Sequence, residues 1–171
     1  RAAAPDRRGD PRARGPLVLV EGDRVVRLAL PGAKRVDVGR LRGLGALAFV
    51  DLDGAGLVGA SELGTLTGLV YADLSRTGLE DVTPLTRLPA LRALVAVKTA
   101  VREVPSLGPT LEHVDLSYGR VEELPAEGPR VEVLALTGNR LTSLRSKGSL
   151  PALATLTVDE NRVEEISGLE A

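Results

Sequence analysis

His113, Asp115 and Ser117 are the residue types of a nucleophilic triad, and Asp51, Asp53 and Asp73 are those of a hard-cation site. Spacing argues against both. At i, i+2 and i+4 of one extended strand, three side chains share a face with Cα atoms roughly 6.6 Å apart, and they run parallel instead of converging on a reacting atom. The three carboxylates would stand on neighbouring strands about 4.8 Å apart. Three monodentate ligands without a shaping loop hold Ca²⁺ poorly. No Gly-rich phosphate loop follows a strand and opens a helix. Cysteine is absent, which excludes disulfides, zinc–thiolate sites and thiol chemistry. No catalytic residue, metal ligand or cofactor is therefore assigned. What remains is the chemistry of contact, carried by Phe49, Tyr71 and Tyr118, by the single histidine His113, and by charged neighbours such as Asp51, Asp73, Arg76 and Asp115.

A repeating template must position these groups. Units start at Val25, Leu47, Leu69, Leu91, Leu111, Val131 and Leu153, with spacings of 22, 22, 22, 20, 20 and 22 residues. Counting each start as position 1, apolar residues recur at positions 4, 6, 11 and 14. Of these 35 slots, 34 are apolar in a chain that is 43% hydrophobic, and Arg35 at position 11 of the first unit is the one miss. Positions 4 and 6 alternate as the inward side of a short strand does. A unit of this length cannot bury its apolar face alone, so it stacks on copies of itself into a solenoid.

The pattern resembles that of the leucine-rich-repeat family, L-x-x-L-x-L-x-x-N-x-L. The match is best from Val131 to Leu141, with Leu134, Leu136 and Asn139 in their slots, followed by Leu153 to Val163 with Asn161. The resemblance covers residues 25 to 171 and implies an α/β fold: a right-handed horseshoe solenoid with a parallel β-sheet on its concave face and little helix on its convex face. It also implies that the slot asparagine bonds the backbone at the turn after each strand. Thr77 and Thr99 are partial substitutes there, whereas Ala33, Ala55 and Gly119 are not. The unit Leu69 to Ala90 resembles repeats of phosphatase-regulator proteins. The 20-residue units, ending in Val104-Pro105 and Leu124-Pro125, resemble those of bacterial effectors. Because proline fixes φ and lacks a donor, the convex side is expected to be extended, with short 3₁₀ turns at most in the longer units.

Residues 1–16 hold five Arg, two Asp and three Pro and read as a disordered Arg/Pro-rich linker. They include Arg8-Gly9-Asp10, a tripeptide that integrins bind and that such a composition produces easily by chance. Residues 17–171 form the expected solenoid. The alternation around Glu21-Gly22-Asp23 predicts a hairpin whose first strand, within 17–24, caps the N-terminal edge. No comparable cap closes the other end, so self-association through that edge is an expectation. With no methionine and a start at Arg1, the chain reads as a piece of a longer polypeptide or a processed product. A net charge of −1 gives no global argument for nucleic acid or membrane, and no apolar run approaches a membrane span. Nineteen Arg against three Lys and a single Ile suggest a GC-rich bacterial gene. The compartment is left open.

In this architecture positions 3, 5, 7 and 8 face outward on the concave sheet. All three aromatics and the histidine fall in those columns: Phe49, Tyr71 and His113 at position 3, Tyr118 at position 8. Val95 and Val97 stand where neighbouring units carry Asp and Ser, and with Ala93 and Val133 they would make an apolar strip. Asp51, Asp73, Asp115, Arg76 and Lys98 would rim it. An apolar centre inside a polar rim is the anatomy of a binding patch. The expected function is non-catalytic binding of another protein through this face. The alternative is a structural or assembly scaffold, or a spacer fragment of a larger repeat protein, in which Leu-Asp-Leu-Ser is repeat filler and exposed valines reflect strand propensity alone.

Overall fold

The structure, a computed structural model, describes residues 15–145 and 149–166. The segment 1–16, apart from its last two residues, lies outside them, as do Arg8-Gly9-Asp10 and the C-terminal Gly168–Ala171.

The hydrophobic alternation becomes short strands. In chain order these are β1 (Leu17–Glu21), β2 (Arg24–Ala29), β3 (Val36–Asp37), β4 (Phe49–Asp51), β5 (Leu57–Val58), β6 (Tyr71–Asp73), β7 (Ala93–Val95), β8 (His113–Asp115), β9 (Val133–Ala135) and β10 (Thr155–Thr157). Eight of them form one sheet in the order β1-β2-β4-β6-β7-β8-β9-β10. The pairing from β2 onward is parallel, and equivalent template positions sit side by side: Phe49 opposite Tyr71, Tyr71 opposite Ala93, Ala93 opposite His113. The hairpin β1–β2 is antiparallel, turns at Gly22 (φ 63°), and places a five-residue strand on the N-terminal edge.

Behind the sheet, positions 4 and 6 stack into two apolar ladders. Val50, Leu52, Ala72, Leu74, Leu94, Ala96, Val114, Leu116, Leu134 and Leu136 are buried, and one continuous core runs from Leu28 to Leu144. The single miss of the template is repaired locally. Arg35 is exposed, but Val36, one residue on, is buried and pairs with Leu57 in the two-stranded β3–β5 sheet. At the last rung the ladder opens: Leu153, Leu156, Val158 and Val163 are half-buried, and Ile166 is 72% exposed.

The convex side divides by repeat length. The first three 22-residue units carry one turn each: 3₁₀ at Val38–Leu41 and Ala60–Thr65, and a four-residue α-helix, α1, at Thr83–Thr86. The α turn departs from the expectation of 3₁₀ at most. Pro84 presets φ in its first turn, Asp81 Oδ1 accepts from Thr83 N (2.7 Å), and Thr86 N reaches back to Val82 O (3.1 Å). The 20-residue units, with Pro105, Pro109, Pro125 and Pro129, stay extended and link by single contacts such as Leu107 N to Glu127 O at 2.7 Å.

Asparagine closes the turns where it is present. Asn139 Oδ1 accepts from Val121 N (2.9 Å), while its Nδ2 donates to Leu116 O and Leu136 O (3.0 Å each). Asn161 repeats this set with Leu141 N, Leu136 O and Val158 O. Thr77 and Thr99 make only the bond within their own unit, to Leu74 O (2.7 Å) and Ala96 O (2.9 Å). Gly119 is explained by its neighbour, because a Cβ there would lie 3.0 Å from Asn139 Oδ1. The missing side chain admits the asparagine of the next repeat.

Candidate partner-binding face

Position 3 of each strand projects from the sheet away from the core, and the register aligns Arg27, Phe49, Tyr71, Ala93, His113, Val133 and Thr155 in one row. Phe49 and Tyr71 are stacked, with ring centroids 6.3 Å apart and planes inclined by 30°. Phe49 is 44% exposed, which is far outside what the core requires. Burial pushes the Tyr71 phenol above its usual 10.0, and the charges of Asp73 and Asp51 push it further in the same direction.

Position 5 does two things at once. Asp51, Asp73 and Asp115 each turn Oδ1 back to the backbone N–H two residues on: Asp53 N (3.1 Å), Ser75 N (2.9 Å) and Ser117 N (2.9 Å). These N–H groups lie at the strand ends, and the side chain closes the turn there. In the fourth repeat Val95 has no acceptor to offer, and Val97 N is met instead by Ser75 Oγ of the preceding repeat (3.2 Å). His113, Asp115 and Ser117 do not converge: His113 is exposed, Ser117 is buried, and Asp115 is turned toward the Ser117 backbone. Among the described residues no group of three or more His, Asp or Glu side chains is gathered for a metal.

Position 8 is left-handed in all seven repeats. Gly32, Gly54 and Gly138 have φ of 67–68°, and Arg76, Lys98, Tyr118 and Glu160 have φ of 54–59°. The sharp turn off the strand thus holds four large polar side chains in a conformation costing about 1–2 kcal/mol each. They form a rim. Arg76 pairs with Asp53, and the Lys98 ammonium stands 5.8 Å from the centre of the Tyr118 ring. That ring lies over Gly138, where a Cβ would come within 2.5 Å of it, and its hydroxyl reaches Glu160 Oε1 at 3.5 Å.

The structure therefore brings Phe49, Tyr71, Asp51 and Asp73 together on adjacent strands, and Arg76, Lys98 and Tyr118 along one edge. Val95 and Val97 are half-buried near the middle of the face. The apolar strip is not continuous: in register, His113 separates Ala93 from Val133, and Asp115 separates Val95 from Ala135. Parallel pairing puts every unit's residue between those of its neighbours, so similarity two units apart makes no contact. Sequence reasoning missed Asp53 and Glu160 as parts of the rim, and the Arg92–Glu112 pair (2.7 Å) at position 2. The recurrent glycine at position 8 was the available signal for a left-handed column.

The fold defines the class. A parallel sheet of one strand per unit, in-register apolar ladders and asparagine-closed turns make this chain a leucine-rich-repeat solenoid, with the α/β architecture and small helix content of that class. Among solved structures it is similar to internalin C2 from Listeria monocytogenes, at 23% identity and a TM-score of 0.71 over 85% of this chain and 65% of that one. It is also similar to the functional domain of InlJ from Listeria monocytogenes, which includes a cysteine ladder (22% identity, TM-score 0.56, 72% of this chain and 27% of that one). A third likeness is to a chain of the LRIM1/APL1C complex (17%, TM-score 0.61, 81% of this chain and 31% of that one). This chain thus spans about two thirds of the first and under a third of the other two. No protein-family model and no curated protein sequence matches it.

Proposed function

We propose that this solenoid is a non-catalytic recognition module that binds another protein through the concave face of its sheet. One observation carries the reading: the chain's large rings are placed on the solvent side of a rigid sheet, with Phe49 and Tyr71 stacked there and Tyr118 on its rim. Burying such rings against a partner is the usual source of affinity at protein interfaces. Phe49, Tyr71, Val95, Val97, His113 and Tyr118 supply the contact area. Asp51, Asp73, Asp115 and Arg76 set its polarity. A protein-interaction role is also in keeping with neighbours that include a chain seen in the LRIM1/APL1C complex.

The test is a paired substitution, Tyr71→Ala with Tyr118→Ala, compared with Arg87→Ala on the convex side. A partner captured by the native chain and by the convex variant, and lost by a folded concave variant, is the expected result. Equal capture by all three would contradict the reading.

A second reading, assembly, rests on the open last rung. With Ile166 72% exposed and four apolar neighbours half-buried, this end offers an apolar surface to another rung or another chain. In this reading sedimentation shows concentration-dependent association that Ile166→Glu removes. A monomer at all concentrations would dismiss it.

A further inference from the structure

Phe49 and Tyr71 share their part of the sheet with Asp51 and Asp73, and these four residues come from only two adjacent strands, β4 and β6. The two aspartates are register partners, so their carboxylates stand about one strand separation apart, roughly 4.8 Å. Each spends Oδ1 on a backbone N–H, which fixes its orientation and leaves Oδ2 for another donor. Neither has an ion-pair partner among the described residues. Asp53 is paired with Arg76, and Glu160 accepts from the Tyr118 hydroxyl. Asp115 turns back to the backbone as Asp51 and Asp73 do, but its register partners are Val95 and Ala135, so it offers one carboxylate and not two. Positions 3, 5, 7 and 8 together hold three basic and six acidic side chains, so the face as a whole is net negative.

We propose that Phe49, Tyr71, Asp51 and Asp73 form the seat of an arginine side chain presented by the partner protein. This rests on the recognition reading above and deepens it. A guanidinium is planar, so it can lie against an exposed ring while its N–H groups point outward to acceptors in its own plane. Two carboxylate oxygens on neighbouring strands supply acceptors at a spacing that its fork can bridge. An ammonium is a strongly hydrated point charge and gains less from the flat ring. Arg27, the register partner of Phe49 on its other side, repels a cation approaching from the N-terminal edge. On the opposite side the seat is flanked by Ala93 and Val95 of β7, which carry no charge.

The experiment follows backbone amide signals of the isotope-labelled chain during titration with N-acetyl-arginine methylamide, and with its lysine and citrulline counterparts, up to about 100 mM. The expected result is saturable shifts confined to residues 49–53 and 71–75 for the arginine compound, several-fold weaker binding for lysine, and none for citrulline. The variant Asp51→Asn with Asp73→Asn keeps an amide oxygen for the Asp53 and Ser75 N–H groups, so the turns persist, and it should weaken the arginine response roughly tenfold. Absent or unsaturable shifts in the native chain, an equal response to citrulline, or unchanged affinity in the variant would each overturn the proposal. The two readings separate cleanly. A partner lost by Tyr71→Ala with Tyr118→Ala but kept by the double asparagine variant would leave the recognition face standing and remove the arginine seat.

Discussion

Asn139 shows how much one side chain does in this fold. It satisfies Val121 N and two carbonyls from two different repeats, all of them buried, where water cannot replace it. Truncating it strands these groups, and each buried orphan costs about 1–3 kcal/mol. Asn139→Ala is therefore expected to lower the denaturant-unfolding free energy by about 2–3 kcal/mol. Asn139→Thr should recover part of the loss, because Thr77 and Thr99 keep the bond within their own units. A cost near zero for Asn139→Ala would show that the turn closes without it. The slot itself was legible in sequence at Asn139 and Asn161. What was not legible is the role of Gly119, which depends on a side chain arriving from the next repeat.

At the scale of the element, the strand and its left-handed exit act as one piece. Positions 3–5 make the strand in six consecutive units, and position 8 turns the chain off the sheet with positive φ in all seven. The strands were legible because alternation over four residues leaves little choice of face. The left-handed column was harder to see, since four of its seven members are not glycine. Gly138 is the member with least freedom. It needs φ of 67°, and Tyr118 occupies the space a methyl group would take. Gly138→Ala should cost about 1–2 kcal/mol in backbone strain alone and lift the Tyr118 ring. Because the chain has no tryptophan and only two tyrosines, tyrosine fluorescence reads that movement directly. An unchanged spectrum with unchanged stability would show that the ring does not rest on Gly138. The convex side was the least legible element: Pro84 and Asp81 made an α turn where the proline content alone pointed to 3₁₀ at most.

As a whole, the molecule is a one-dimensional stack in which each rung is held by its neighbours. The core was readable from the sequence because the same five positions recur in every unit, and even the miss at Arg35 was absorbed by Val36 next to it. The face was readable only as columns. Which groups meet, such as Phe49 with Tyr71 or Lys98 with Tyr118, follows from register and rotamer, and the repeat pattern specifies neither. The central claim is that this face closes on a partner. Composition makes one measurement unusually direct, because the chain has no Met, Cys or Trp, and its three aromatics and single histidine all lie on the concave face or its rim. Those four are its side chains most readily oxidised by hydroxyl radicals. We expect radical footprinting of the captured complex to show Phe49, Tyr71 and His113 protected, with modification rates several-fold below those of the free chain, and Tyr118 partly protected at the rim. Equal rates for all four residues in the free and saturated states would contradict the account.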